Sequence, residues 1–120
     1  MLEHLNWHLQ RMAEVQQQEA TTYFRDAALQ RFEFALGSVL KCIQKAAGNS
    51  GKRLSSDQET LDYAAKANWF TEGIDCTDIL TSLALLKPET RNENADAVYS
   101  KLAGYLTQFK ALHHNLSRLC

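Results

Sequence analysis

The stretch RDAALQRFEFALGSVLKCI, from Arg25 to Ile43, carries the densest apolar pattern in the sequence. Its apolar residues recur at steps of three and four, which places them along one side of an α-helix. These residues are Leu29, Phe32, Leu36, Val39, Leu40 and Ile43. Phe34 and Ala35 widen the stripe, so we predict a central helix that is buried over most of its circumference by several neighbours.

Five charged residues accompany this apolar stripe, namely Arg25, Asp26, Arg31, Glu33 and Lys41. Burying a charge is costly unless the charge is paired. The residues alone therefore favour a solvated seam along the edge of the helix. A binding role for them is the alternative.

The length and composition are those of one ordinary domain covering residues 1–120. A chain of this size buries about two thirds of the surface that its unfolded form exposes, which is enough for a core without a metal or a disulfide. Apolar residues make up 45% and charged residues 22% of the chain, as in soluble globular proteins. The net charge of -1 gives no global field that would attract nucleic acid or anionic lipid.

The cysteine pattern and the first residues predict a cytoplasmic protein. The three cysteines, Cys42, Cys76 and Cys120, are odd in number and form no CxxC pair, so we expect reduced thiols rather than a disulfide framework or a zinc ribbon. The segment from Met1 to Gln18 has no apolar core typical of a signal peptide. No apolar run has the length needed to cross a bilayer, so no membrane partner is expected.

The periodicity predicts an all-α fold with five helices. Ser56 and Glu59 have the spacing of a capping box, Pro88 prevents continuation of the fourth helix, and Gly37 indicates a close helix contact or a bend inside the second. The predicted helices run from about Leu2 to Gln18, from Ala20 to Ala47, from Ser56 to Phe70, from Asp75 to Leu86 and from Asn94 to Leu119.

The last predicted helix has the most regular apolar ladder in the chain: Val98, Leu102, Tyr105, Phe109, Leu112, Leu116 and Leu119. This ladder predicts one long helix in near-antiparallel contact with another, and hence an up-and-down four-helix bundle with an additional short helix. A chain of this size has little room to bury both the ladder and the central stripe. We therefore predict a homodimer; the alternative is a monomer in which the first helix covers the ladder.

The residues indicate no catalytic site, no metal and no cofactor within this chain. His4 and His8 are four apart on a helix, but two ligands alone are a weak metal signal, and His113 and His114 point to different faces. All four histidines are therefore expected at the surface. There is no glycine-rich phosphate loop and no serine–histidine–acid order. The acidic residues do not have the spacing of a polymerase metal site.

The segment RDAALQRFEFALGSVLK, from Arg25 to Lys41, resembles the signature helix of the nucleotidyltransferase substrate-binding proteins, which reads approximately R-D-A-x-I-Q-R-F-E-F-x-F-E-L-x-W-K. The matching residues are Arg25, Asp26, Ala27, Gln30, Arg31, Phe32, Glu33, Phe34 and Lys41. The resemblance covers residues 21–116 and includes Arg91-Asn92 and the segment Ala95–Tyr99. Gly37 stands where the family has an acidic residue, and Leu40 where it has tryptophan.

This resemblance implies a HEPN-like four-helix bundle that forms a homodimer and pairs with a separate minimal nucleotidyltransferase. The partner would carry the metal-binding carboxylates, so this chain would be a non-catalytic accessory subunit, in some cases of a toxin–antitoxin module. A nucleotide or RNA ligand is also implied. The substrate- or partner-binding residues that follow from the resemblance are Arg25, Asp26, Arg31, Glu33, Lys41, Arg91 and Asn92.

Two alternatives to the accessory role remain open. Many HEPN proteins are ribonucleases with an arginine, a polar residue next to it, and a histidine separated from the arginine by four to six intervening residues. The corresponding positions here are Asp96, Ala97 and Val98. Without an imidazole there, RNA cleavage would need a displaced base such as His113 or His114. The second alternative is a purely structural helical interaction module.

Arg91 itself has two interpretations on sequence alone. Its guanidinium could hold a phosphate in a bidentate manner, or it could bind the last carbonyl groups of the preceding helix.

Overall fold

The computed structural model describes residues 2–18 and 21–119, and for Leu119 only the backbone. Within these ranges every regular element is a helix, which confirms the all-α prediction. The six helices are α1 (Leu2–Gln16), α2 (Thr22–Asn49), α3 (Asp57–Lys66), α4 (Cys76–Leu85), α5 (Arg91–Tyr99) and α6 (Leu102–Leu119). The predicted helix start at Ala20, the thiol of Cys120 and the ladder position of the Leu119 side chain lie outside what is described.

Helix α2 is the axis of the fold. The side chain of Thr21 accepts a hydrogen bond from the backbone N–H of Phe24 at 3.2 Å and so begins the helix. At about 1.5 Å per residue, its 28 residues span nearly the whole 43 Å length of the molecule. The predicted apolar stripe is buried except for Leu40, which is half-buried.

The prediction that Phe34 widens the buried stripe is wrong. Ala35 is fully buried, but Phe34 is 48% exposed. At about 100° per residue, Phe34 lies roughly 160° around the helix axis from Phe32, so helical geometry directs it away from the core. The same geometry brings Ala35 onto the buried side.

The expected close contact at Gly37 is also absent. A Cβ atom built on Gly37 would meet no atom within 4 Å. Glycine in a helix interior is less favourable than alanine because it loses more backbone freedom on folding. Gly37 therefore carries an energetic cost that packing does not explain.

Short-range capping sets the ends of the two short helices in the middle of the chain. Ser56 accepts from the backbone N–H of Glu59 at 3.1 Å, as the capping box predicts. The reciprocal contact is displaced by one residue, because the Glu59 carboxylate accepts from the Ser55 hydroxyl at 2.6 Å. Helix α3 ends at Lys66, earlier than predicted, and Asn68 then adopts a left-handed conformation with φ 61°. Asp75 begins α4 by accepting from the backbone N–H of Asp78 at 2.9 Å.

The single long C-terminal helix of the prediction is divided into α5 and α6 at Ser100 and Lys101. The backbone N–H of Lys101 bonds to the carbonyl of Val98 at 2.9 Å, three residues back, and the Ser100 hydroxyl donates to the carbonyl of Ala97 at 2.7 Å. Both bonds take carbonyl groups that a continuous α-helix would use differently. The interruption does not disturb the apolar ladder, so periodicity could not detect it.

The ladder is buried inside one copy of the chain. Val98, Leu102, Tyr105, Phe109, Leu112 and Leu116 are each at most 7% exposed. Helix α6 packs against both α1 and α2. The ladder is thus covered within one chain, with α1 contributing, so its burial gives no reason for a second copy. The homodimer itself stays a prediction. None of the described helices combines the length and apolarity that a transmembrane span requires.

Candidate functional site

Two ion-pair clusters join the signature segment of α2 to α5. In the first, Arg25 donates through Nη1 to Oδ1 of Asp96 at 3.0 Å and through Nη2 to Oδ1 of Asp26 at 3.0 Å. The hydrogen bond to Asp96, followed by that to Asp26, raises the pKa of Arg25 above its usual value. The Arg25 guanidinium thus binds two carboxylates of its own chain.

The second cluster involves Glu33 and Arg91. Arg91 Nη2 donates to Glu33 Oε1 at 2.6 Å, and Arg91 Nη1 donates to the carbonyl oxygen of Leu86 at 3.0 Å. Leu86 is the C-cap residue of α4, so Arg91 binds a carbonyl at the end of the preceding helix, as one of its two interpretations predicted. The same guanidinium fixes α5 to α2.

The structure separates the seven predicted site residues into three groups. Arg25, Glu33 and Arg91 form the ion pairs between α2 and α5, and Asp26 pairs with Arg25 within α2. Asn92 is exposed on the first turn of α5. The remaining two, Arg31 and Lys41, lie where α2 faces α1 and belong to the surfaces described next.

An aromatic–cationic patch, formed by Trp7, His8, Arg11, Arg31 and Phe34, crosses α1 and α2. The guanidinium carbons of Arg11 and Arg31 lie 5.5 and 5.7 Å from the centre of the Trp7 ring. The imidazole of His8 is 5.2 Å from the Trp7 ring and 6.2 Å from the Phe34 ring, between centroids. Trp7 and Phe34 are 49% and 48% exposed, so the patch presents two large aromatic side chains to solvent beside two arginines.

Two polar atoms at the centre of this patch have no hydrogen-bond partner among the described residues. Nδ1 of His8 and Nε of Arg11 are buried there without a hydrogen-bond partner. Burial, then the nearby charge of Arg31 and of His4, lowers the pKa of His8. The prediction of a surface position holds for His4, whereas His8 is half-buried.

A groove adjoins the patch between α1 and α2 and shares His8 and Phe34 with it. This α1–α2 groove has a volume of about 650 Å³. It is lined by His4, His8, Glu33, Phe34, Gly37, Ser38, Lys41 and Lys45. The open space beside Gly37 therefore belongs to a surface depression that contains two of the predicted site residues, Glu33 and Lys41.

A second depression, of about 810 Å³, lies along α3 and the loop before it. Its charged lining is mixed, with Lys52 and Lys66 opposed by Glu59 and Asp62. None of the predicted site residues lines it.

A partly buried polar cluster connects α4 to α6 through contacts that the apolar pattern does not predict. The Tyr105 hydroxyl donates to Asp78 Oδ2 at 2.6 Å and shares a 2.7 Å hydrogen bond with the Ser82 hydroxyl. Lys101 donates to the other oxygen of Asp78 at 2.7 Å. The bonds from Lys101 and then Tyr105 lower the pKa of Asp78, while burial and then Asp78 raise that of Tyr105.

The described cysteines are buried side chains of two different helices. Cys42 belongs to α2 and Cys76 to α4. Burial, followed by the negative charge of Asp62, raises the pKa of Cys76 to about 11. This thiol is therefore protonated at neutral pH, and a protonated thiol is a poor nucleophile.

Within residues 2–18 and 21–119, no group of three or more histidine, cysteine and acidic side chains is arranged to hold a metal ion.

Sequence reasoning did not select Trp7, His8 or Phe34 as binding-site residues. A signal for Trp7 was present, because it lies off the apolar stripe of Leu5, Leu9 and Met12 on the first helix. A large aromatic residue on the polar side of an amphipathic helix indicates an exposed position.

The comparisons with known proteins add no assignment. No family model matches the chain, and no curated protein matches its sequence. The resemblance to the nucleotidyltransferase substrate-binding proteins stays a prediction.

Proposed function

We propose that this protein is a non-catalytic accessory subunit that binds a separate minimal nucleotidyltransferase through the aromatic–cationic patch. The observation that carries the proposal is the exposure of Trp7 and Phe34 beside Arg11 and Arg31. Tryptophan, phenylalanine and arginine are enriched at protein interfaces, and tryptophan and arginine dominate binding energies there.

The ion pairs between α2 and α5 support a binding role for this chain and a catalytic role for its partner. Arg25, Glu33 and Arg91 bind partners within the chain, so their structural role accounts for them without a reaction. Arg31 and Phe34 are the residues of the signature segment that lie in the patch. Partner binding in this proposal uses α1 and the outward side of α2, and catalysis belongs to the other protein.

Further parts of the proposal rest on the resemblance. The finer architecture is an up-and-down four-helix bundle in which α1, α2, α3 and the α5–α6 pair supply the four helices and α4 is the additional short one. The assembly is a homodimer located in the cytoplasm, where it could form part of a toxin–antitoxin module with a nucleotide or RNA ligand. Sedimentation equilibrium tests the dimer, which a mass near 13.6 kDa would contradict.

Co-expression tests the partner. A minimal nucleotidyltransferase encoded beside this gene should co-purify with the chain and elute with it as one complex in size-exclusion chromatography. Failure to form a complex, or absence of such a neighbouring gene, would count against the accessory role.

The ribonuclease alternative makes a different demand on Arg91. Its guanidinium would have to leave Glu33 and the carbonyl of Leu86 to reach a phosphodiester. Cleavage of RNA by the purified chain, abolished by Arg91→Ala, would establish that alternative.

A further inference from the structure

The α1–α2 groove has a charge distribution that differs from that of the whole chain. Lys41 and Lys45 lie one turn apart on α2, and His4 and His8 lie one turn apart on α1. None of the ion pairs among the described residues involves either lysine. The chain has a net charge of -1, yet two uncompensated ammonium groups and two imidazoles converge on this depression.

The one acidic residue of the groove is already neutralised. Glu33 accepts from Arg91 at 2.6 Å, so its negative charge is directed toward α5. A Glu33–Lys41 pair does not occur among the described residues. The groove therefore offers positive charge and nitrogen donors without an internal anion to occupy them.

The groove is large enough to admit a small molecule. Its volume of about 650 Å³ lies within the range of about 300–1,000 Å³ that is usual for small-molecule sites. Gly37 leaves the middle of the groove open, and Ser38 adds a hydroxyl beside it. Phe34 borders the depression with a half-exposed ring.

The donor groups identify the class of ligand. Ammonium groups bind phosphate oxygens through charge-assisted hydrogen bonds, an imidazole N–H donates a further hydrogen bond, and an exposed aromatic ring binds a planar apolar group by stacking. Nδ1 of His8 is one further polar atom without a partner. With its proton on Nδ1 it would donate to a ligand oxygen, and in the other tautomer it would accept from a water held by the ligand.

We propose that the α1–α2 groove binds a small organic phosphate, with the phosphate between Lys41, Lys45 and the two histidines and a planar ring against Phe34. This site goes beyond the accessory role, because it is formed by this chain alone. Its test needs no partner protein, so failure of the site and failure of the accessory role are separate results.

Phenyl phosphate is the probe, since it carries one phosphate and one ring. The expected result is saturable binding to the purified chain in calorimetry, with NMR shifts confined to α1 residues near His4 and His8 and to α2 from Phe34 to Lys45. Replacing both lysines in Lys41→Gln/Lys45→Gln should weaken binding by about tenfold or more, since even one hydrogen bond to a charged group is worth about that factor.

The matched control removes the same charge from other helices. Lys66 lies at the end of α3 and Lys110 lies on α6, and both are exposed outside the groove. The Lys66→Gln/Lys110→Gln variant should bind phenyl phosphate like the unmodified chain. Equal weakening by both double variants would show attraction to net charge alone and would overturn the site.

Three further variants separate effects on binding from effects on folding. Gly37→Ala should stabilise the helix while it narrows the groove and weakens phenyl phosphate binding; Gly104→Ala, an equally open helical position on α6, should stabilise the chain without affecting binding. Phe34→Ala should weaken phenyl phosphate binding and leave inorganic phosphate binding unchanged. Shifts spread over all lysine-bearing helices, or no saturable binding at millimolar probe, would overturn the proposal.

Discussion

The substitution Phe32→Ala tests whether α2 is the axis of the core. The Phe32 ring is fully buried, and its centroid lies 5.3 Å from that of Tyr105 and 6.2 Å from that of Phe109, with both pairs stacked. Removing a buried phenylalanine ring costs about 3–5 kcal/mol, because transfer energy is lost and a cavity remains. The loss of two aromatic contacts places the expected value in the upper part of that range.

The assay is urea unfolding followed by far-UV circular dichroism. With a slope of about 2 kcal/mol per molar urea, a loss of about 4 kcal/mol lowers the unfolding midpoint by about 2 M. Phe34→Ala is the matched control, since it removes the same ring from the same helix, two residues further on, at a position that is 48% exposed. Its cost should be at most about 1 kcal/mol.

Two outcomes would refute this account of the core. A loss below about 1 kcal/mol for Phe32→Ala would show that the ring does not occupy a packed interior. Equal losses for the two variants would show that the orientation of α2 is wrong, whatever their size.

Three further predictions concern stability. A double-mutant cycle of Glu33→Ala and Arg91→Ala should give a coupling of about 0.5–1 kcal/mol that falls with added salt, with Arg91→Ala the costlier single change because it also frees a helix-terminal carbonyl. Gly37→Ala and Gly104→Ala should each raise the unfolding free energy by about 0.5–1 kcal/mol, and a loss at either position would contradict the open space there. The pKa of Asp78 is lower in the folded chain than its ordinary value of 3.8. The ionised Asp78 carboxylate therefore stabilises the fold above pH 3.8, and this stabilisation is lost as the pH falls through the folded pKa. In acid titrations monitored by circular dichroism, Asp78→Asn should flatten this part of the stability profile.

Local signals were sufficient for much of the fold. Each of the caps at Ser56 and Asp75 depends on residues within one turn, so a short sequence window contains the whole interaction. The stripe around Phe32 was also predictable, because burial of one helix side follows directly from apolar spacing. The division at Ser100 was not, since the apolar ladder continues across it.

The candidate site depended on contacts that spacing does not encode. Glu33 and Arg91 are 58 residues apart, and only the packing of α5 on α2 brings them together. Which side of α2 stays exposed beside α1 likewise depends on how the helices pack. The exposure of Phe34, by contrast, was readable from the spacing, since helical geometry directs this side chain away from Phe32. The matches to the family pattern at Arg31 and Lys41 are compatible with their half-buried and exposed positions.

The affinity of the Trp7→Ala variant for the co-purified nucleotidyltransferase tests the central proposal most directly. An exposed tryptophan at the centre of an interface typically contributes about 2 kcal/mol or more, so calorimetry should show at least about a 30-fold loss of affinity. Tyr23→Ala is the control. Tyr23 is 76% exposed and lies on the same helix as Phe34, three turns or about 16 Å from it along the helix axis. Its loss should leave the affinity within about twofold, since most exposed contacts outside an interface centre are nearly neutral. Unchanged affinity for Trp7→Ala in a complex that forms normally would contradict the assignment of the aromatic–cationic patch as the binding surface.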